Sequence, residues 1–117
     1  MDLADLVRSI LAGDLLAARQ FVSDARGAHV AWEQVPQPRG LNDCELTVAA
    51  ALVELLSARG GSTPPSWTAG IGPLRELLVL DPGLENMPRS FARAKATGPE
   101  PLRKRNLIAS SDFLDVA

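Results

Sequence analysis

The chain has 117 residues, 46% of them apolar and 22% charged, with a formal net charge of −2; the length fits one domain and the composition excludes wholesale disorder. Aromatic residues make up only 4%, Tyr is absent and Cys44 is the single cysteine, so the core has to be built from Leu, Val and Ala, which suits helix packing, and an internal disulfide framework is excluded. The longest apolar stretch, near residues 46–56, is broken by Thr47 and Glu54 and is about half of the ~20 residues that a membrane span needs, while Asp2 and Asp5 stand where a secretory signal carries basic residues. The expectation is a cytoplasmic protein without membrane attachment.

Asp2 is placed to cap a first helix in which Leu3, Leu6, Val7, Ile10 and Leu11 recur on one face, ending at Gly13. Asp14 caps a second, with Leu15, Ala18, Val22 and Ala25 inward, Phe21 beside them and Gly27 as its stop. From Ala28 to Gly40 the period is lost and Pro36, Pro38 and Gly40 predict a loop, with room for one extended segment around His29–Trp32 and Trp32 folded onto the core. The third helix has the clearest signature: Asn42 as cap, Glu45 at capping-box spacing, then a run that is apolar on nearly every side up to Gly60-Gly61. Such a helix is the buried centre around which others pack.

Residues 62–73, rich in Pro, Gly, Ser and Thr, predict a surface loop anchored by Trp67. Leu77–Leu80 is a short apolar run that is either a buried strand or an extended segment, closed by Asp81-Pro82-Gly83. A fourth helix is expected over residues 87–96, with Asn86 as cap, Pro88 in the first turn, Phe91 and Ala94 inward and Gly98 beyond its end. Pro99 to Asn106 adds a turn or two, and Ser110 or Ser111 caps a last turn carrying Phe113, Leu114 and Val116. The fold class is therefore mainly α: a small bundle of four to five helices with long Pro/Gly loops, organised as a helical domain over 1–97 and a C-terminal docking segment over 98–117.

Charge is unevenly distributed. Residues 1–60 hold five Arg against eight acids, a balance of −3, whereas Arg89, Arg93, Lys95, Arg103, Lys104 and Arg105 face only Glu100 between 89 and 105, a local +5. This cluster suits an acidic protein surface or nucleic acid. Phe91 lies opposite Arg89 and Arg93 on a helix, away from any stacking role, and a sequence pI near 5.3 speaks against a dedicated nucleic-acid binder, so that function is the alternative reading. A solvated face balancing the acidic half is the simplest account.

No catalytic grouping stands out. His29 is the only histidine, and a triad would require a nucleophile and an acid brought to it from elsewhere. Cys44 falls in the first turn of a helix but is flanked by Asp43 and Glu45, which oppose a thiolate. Gly70-Ile71-Gly72 lacks the third glycine and the Lys of a phosphate loop, and no acidic, His or Cys grouping has metal-ligand spacing. The expectation is a non-enzyme without cofactor or metal. Leu107-Ile108 and Phe113-Leu114 are apolar pairs on a segment too short for its own core, which docks on this domain or on a partner.

The combination Pro65-Ser66-Trp67, Met87-Pro88 and Glu100-Pro101-Leu102-Arg103-Lys104-Arg105 followed by Asp112-Phe113-Leu114 resembles small uncharacterised actinobacterial proteins encoded beside nucleotidyltransferase-like proteins in arrangements like toxin–antitoxin operons. The likeness is specific in the last third of the chain. It implies a small partner or neutraliser of a larger protein and carries over no catalytic residue. The reading is an accessory protein that binds the neighbouring gene product, antitoxin-like, through Arg103, Lys104, Arg105, Leu107, Phe113 and Leu114.

Overall fold

In the computed structural model, which describes residues 2–116, helix α1 (Leu3–Leu11) and helix α2 (Leu15–Gly27) form a tight corner ahead of a long central helix, α3 (Asp43–Arg59). Local chemistry starts each of them. Asp2 and Asp5, and again Asn42 and Glu45, exchange backbone-to-carboxylate or backbone-to-amide hydrogen bonds of 2.8–3.1 Å in two capping boxes, and Asp14 accepts the Ala17 N–H. All residues of α3 from Thr47 to Ser57 are buried, as its unbroken apolar circumference requires. Helix α1 packs on α3 through Leu3, Leu6, Val7 and Ile10, and α2 lies against α1 with Ala18, Val22 and Ala25 inward.

All three helices end in the same motif, in which the residue past the cap turns left-handed and two N–H groups return to the last turn. Gly13 (φ 78°) and Gly61 (φ 71°) hold that position for α1 and α3. For α2 it is His29, with φ 52°, while Val30 N–H donates to Ala25 and His29 N–H to Arg26. Gly27, expected as the stop, lies inside the helix. The extended segment expected around His29–Trp32 is absent; a 3₁₀ turn over Trp32–Gln34 follows instead, because the left-handed His29 redirects the chain before a strand can form. Trp32 and Trp67 both pack at the edge of the core, and the Trp67 indole N–H donates to the Val35 carbonyl at 2.9 Å.

The apolar run 77–80 does pair. Strand β1 (Leu78–Val79) lies parallel to β2 (Leu107–Ile108), with Leu78 opposite Leu107 and Val79 opposite Ile108. A parallel pair needs a long crossover, and here it consists of a 3₁₀ turn (Leu84–Asn86), helix α4 (Pro88–Thr97) and helix α5 (Glu100–Arg103). Asn86 belongs to that 3₁₀ turn, so Met87 takes the cap position of α4 with no side-chain bond. Beyond the strands the zipper continues: Leu74 N–H donates to Arg105 O at 3.2 Å, and Asp81 Oδ2 accepts the Ser110 N–H at 2.8 Å.

The C-terminal segment, of which residues 98–116 are described, thus completes the core of residues 2–97. Leu102, Leu107, Ile108, Ala109, Phe113 and Leu114 are all buried, and α5 packs directly on α3. The radius of gyration, 13.2 Å, is that of one body of this length, about 13 Å. Gly98 makes the entry possible: a Cβ there would stand 2.5 Å from Ala94 O and 2.6 Å from Ala109 O, both main-chain atoms.

The one acid inside α3 explains where the segment docks. Glu54, 8% exposed, receives both ends of the Arg105 guanidinium at 2.7 and 2.9 Å, and Lys104 Nζ reaches it at 2.8 Å. Arg105, 2% exposed, spends its remaining donors on the carbonyls of Thr68 (2.9 Å), Ile71 (3.2 Å) and Pro101 (3.2 Å). Every N–H direction of the fork is used. Burial raises the Glu54 pKa, but the hydrogen bonds from Arg105 and Lys104 overcome it and hold the carboxyl down at about 2, against an ordinary 4.5.

Three outcomes are expected. Gly98→Ala forces two backbone carbonyls apart and lowers stability by roughly 1–3 kcal/mol in urea unfolding, at unchanged m-value. Glu54→Gln leaves Arg105 buried and uncompensated, a loss of about 3–5 kcal/mol. Because the folded pKa of Glu54 lies below its unfolded value, its contribution is complete above about pH 4.5 and lost on descent to about pH 2, an amount on the order of 3 kcal/mol; acid unfolding of Glu54→Gln will lack that part of the slope.

Candidate functional site

Two places on this scaffold offer chemistry to solution. The first is the outer side of α4 and α5. Ala94 and the half-buried Phe91 point inward with Leu84 and Ile108, and helical spacing puts Arg89 and Arg93 on the opposite side. Lys95 sits on a flank. Arg89, Arg93, Lys95, Arg103 and Lys104 are all exposed. Among the described residues only Lys104 of these five has a carboxylate within 4 Å, that of Glu54. Arg103 bridges the two helices by donating its Nε–H to the Gly98 carbonyl.

The six residues expected to contact a partner are therefore divided. Arg103 and Lys104 face solvent, whereas Arg105, Leu107, Phe113 and Leu114 face this domain's own core. They are not a presented surface. The reason is energetic: burying a Leu or Phe side chain is worth about 1.5–3 kcal/mol each, and the open side of α3 offered them a place. Arg105 likewise leaves the solvent-facing cation cluster, because Glu54 would otherwise be an unpaired buried charge.

The second place is a cleft of about 570 Å³ where the C-terminal ends of α2 and α3 meet the last turn of the chain, a size typical of small-molecule sites. Its floor is apolar, with Val22, Ala25, Leu56 and Leu114. Arg26, His29, Arg59, Ser62 and Asp115 stand around it, and Trp32 supplies an aromatic wall. Arg59 donates to the carbonyls of Phe113 and Ser111, and Arg26 to that of Val116. Burial lowers the Arg59 pKa, and the charges of Asp115 and Asp112 oppose that shift; a guanidinium remains charged at neutral pH regardless.

His29 and Asp115 both line this cleft, but no hydrogen bond joins the imidazole to Asp115 or Ser62 among the described residues. Cys44 is fifteen residues from Arg59 along α3, about 22 Å at the helical rise, and does not line the cleft. No group of three or more His, Cys, Asp and Glu side chains with metal-binding proximity occurs among the described residues, and no described helix is long and apolar enough to cross a membrane. The sequence had a signal for the Glu54–Arg105 pair, since one acid inside an apolar run has to find a cation. It had none for the cleft, whose walls come from residues 22–32, 56–62 and 114–116.

No protein-family model matches the chain, and no curated protein or solved structure is significantly similar to it.

Proposed function

We propose that this chain is a non-catalytic accessory protein that binds a protein partner, antitoxin-like in role, through the cationic face formed by Arg89, Arg93, Lys95, Arg103 and Lys104. The observation that carries the reading is this exposed cluster, largely without acidic neighbours, on a chain whose total charge is −2. Exposed cations, four of these five without a carboxylate within 4 Å among the described residues, raise the encounter rate with an acidic surface and orient it. Arg89, Arg93 and Lys95 are held by α4, and Arg103 and Lys104 by α5 and its cap, rather than by a loose tail, so little ordering cost falls on binding. The partner is then a protein presenting an acidic segment, and the neighbouring gene product is the first to try.

Nucleic acid is the second reading, favoured by the same cations and by nothing else: Phe91 is half-buried against Ile108 and Leu84, on the side of α4 opposite Arg89 and Arg93, and is not placed among the cations to stack a base. Truncation after Gly98 cannot test either reading, because it removes Leu102, Leu107 and Phe113 from the core.

Charge reversal tests both. In the triple variant Arg89→Glu, Arg93→Glu, Arg103→Glu, co-purification with the neighbouring gene product is expected to fall at least ten-fold while the circular dichroism spectrum is retained. Retrieval that is unaffected removes the cationic face as the interface. Retention of a duplex or single-stranded oligonucleotide by the parent chain, weakening steeply with salt and lost in the triple variant, replaces the protein partner with nucleic acid.

A further inference from the structure

We propose that the cleft between the ends of α2 and α3 is a binding site for a small amphipathic ligand with an oxyanion head and an apolar body. Its chemistry is split in the way such a ligand is split. Val22, Leu56 and Leu114 form an apolar floor, and Arg26, Arg59 and His29 supply N–H donors around it.

Neither guanidinium has a carboxylate within 4 Å among the described residues. Their bonds go to neutral main-chain carbonyls of Ser111, Phe113 and Val116. Those contacts fix the forks in place without cancelling their charge, and each fork keeps further N–H groups to donate. Among the described residues lining the cleft, Asp115 is the one acid against Arg26 and Arg59, a positive balance.

A second, independent observation points to the same place. The first three helices end in the same left-handed motif, and two of them use glycine there, the residue without a steric penalty at positive φ. At the third, α2 places His29 at φ 52° on the cleft rim. Its main chain gains nothing from the imidazole, since the motif's bonds are backbone bonds from His29 and Val30. Backbone strain retained beside a cavity is accounted for when the side chain is used there.

The probe is octanoate, titrated into the full chain and followed by NMR at the two indole N–H signals. Saturable shifts are expected at Trp32 and not at Trp67, whose indole is tied to Val35 and does not line the cleft. Octanol, with the same body and no charge, should bind at least ten-fold more weakly. Octyl phosphate distinguishes the head: tighter binding than octanoate identifies a phosphate site, weaker binding a carboxylate site. His29→Gly is expected to melt at or above the parent temperature, since strain is relieved, yet to bind octanoate at least three-fold more weakly, and Arg26→Ala to lose affinity by a similar factor with its fold intact. Equal affinity for octanol and octanoate, equal shifts at Trp67, or unchanged affinity in both variants would overturn the proposal.

Discussion

The arrangement of this protein depends on the pairing of Glu54 with Arg105. A carboxylate in the middle of a fully buried helix carries a desolvation cost of several kcal/mol unless a cation meets it with full hydrogen bonding. Arg105 does so in bidentate geometry and at the same time collects the carbonyls of Thr68, Ile71 and Pro101. One side chain thereby joins α3, the Pro/Gly loop and α5. A pair of well-packed apolar residues could hold α3 and α5 together with similar strength, but it would not specify which carbonyls, Thr68 and Ile71 of the loop and Pro101 of α5, lie around the contact. We regard the pair as fixing register more than supplying net stability.

Much of the remaining architecture follows from that register. With Arg105 pinned, Asn106 turns left-handed at φ 64° and its amide donates to Leu74 O, which sets Leu107 against Leu78 and starts the parallel pair. Two-residue strands have little strength of their own; these persist because Leu107 and Ile108 are buried on arrival. Asp81 then catches the Ser110 N–H, and the last turn brings Phe113 and Leu114 over the core. Leu114 adopts φ 57°, a conformation a bulky residue takes only when its surroundings over-determine it. The bonds from Arg59 to Ser111 O and Phe113 O and the burial of Leu114 itself provide that constraint.

The same docking creates both surfaces that reach solution. By drawing Arg105 inward it leaves Arg103 and Lys104 exposed on α5 and its cap, the helix that follows the cations of α4. By laying Leu114 across the ends of α2 and α3 it closes one side of the cleft and gives Arg26 and Arg59 carbonyls to hold. Among the described residues the non-glycine ones with positive φ are His29, Asn106 and Leu114, and each belongs to the docked segment or to the cleft it forms. Strain is concentrated where the chain end meets the bundle.

Local features were legible in the sequence because they are settled within a few residues. The caps Asp2, Asp14 and Asn42, the end of α1 at Gly13, the all-round apolar character of α3 and the mainly helical class each rest on chemistry spanning one or two turns. Expectations gave way where a second segment competed: Gly27 yielded to His29 as the turn residue, and Asn86 was drawn into a 3₁₀ turn; the choice left open at Leu77–Leu80 was settled as a strand because Leu107–Ile108 lay beside it. The exposed cations Arg103 and Lys104 could be picked out by charge alone, but Arg105 next to them could not be told apart. Side-chain type and spacing determine helices, caps and the presence of an apolar chain end. Whether Phe113 and Leu114 anchor in this domain, which of three consecutive basic residues is buried, and that a cleft opens beside His29 were decided by tertiary structure, since each depends on residues some 30 to 90 positions apart being brought into contact by burial, which leaves no periodic trace in the chain.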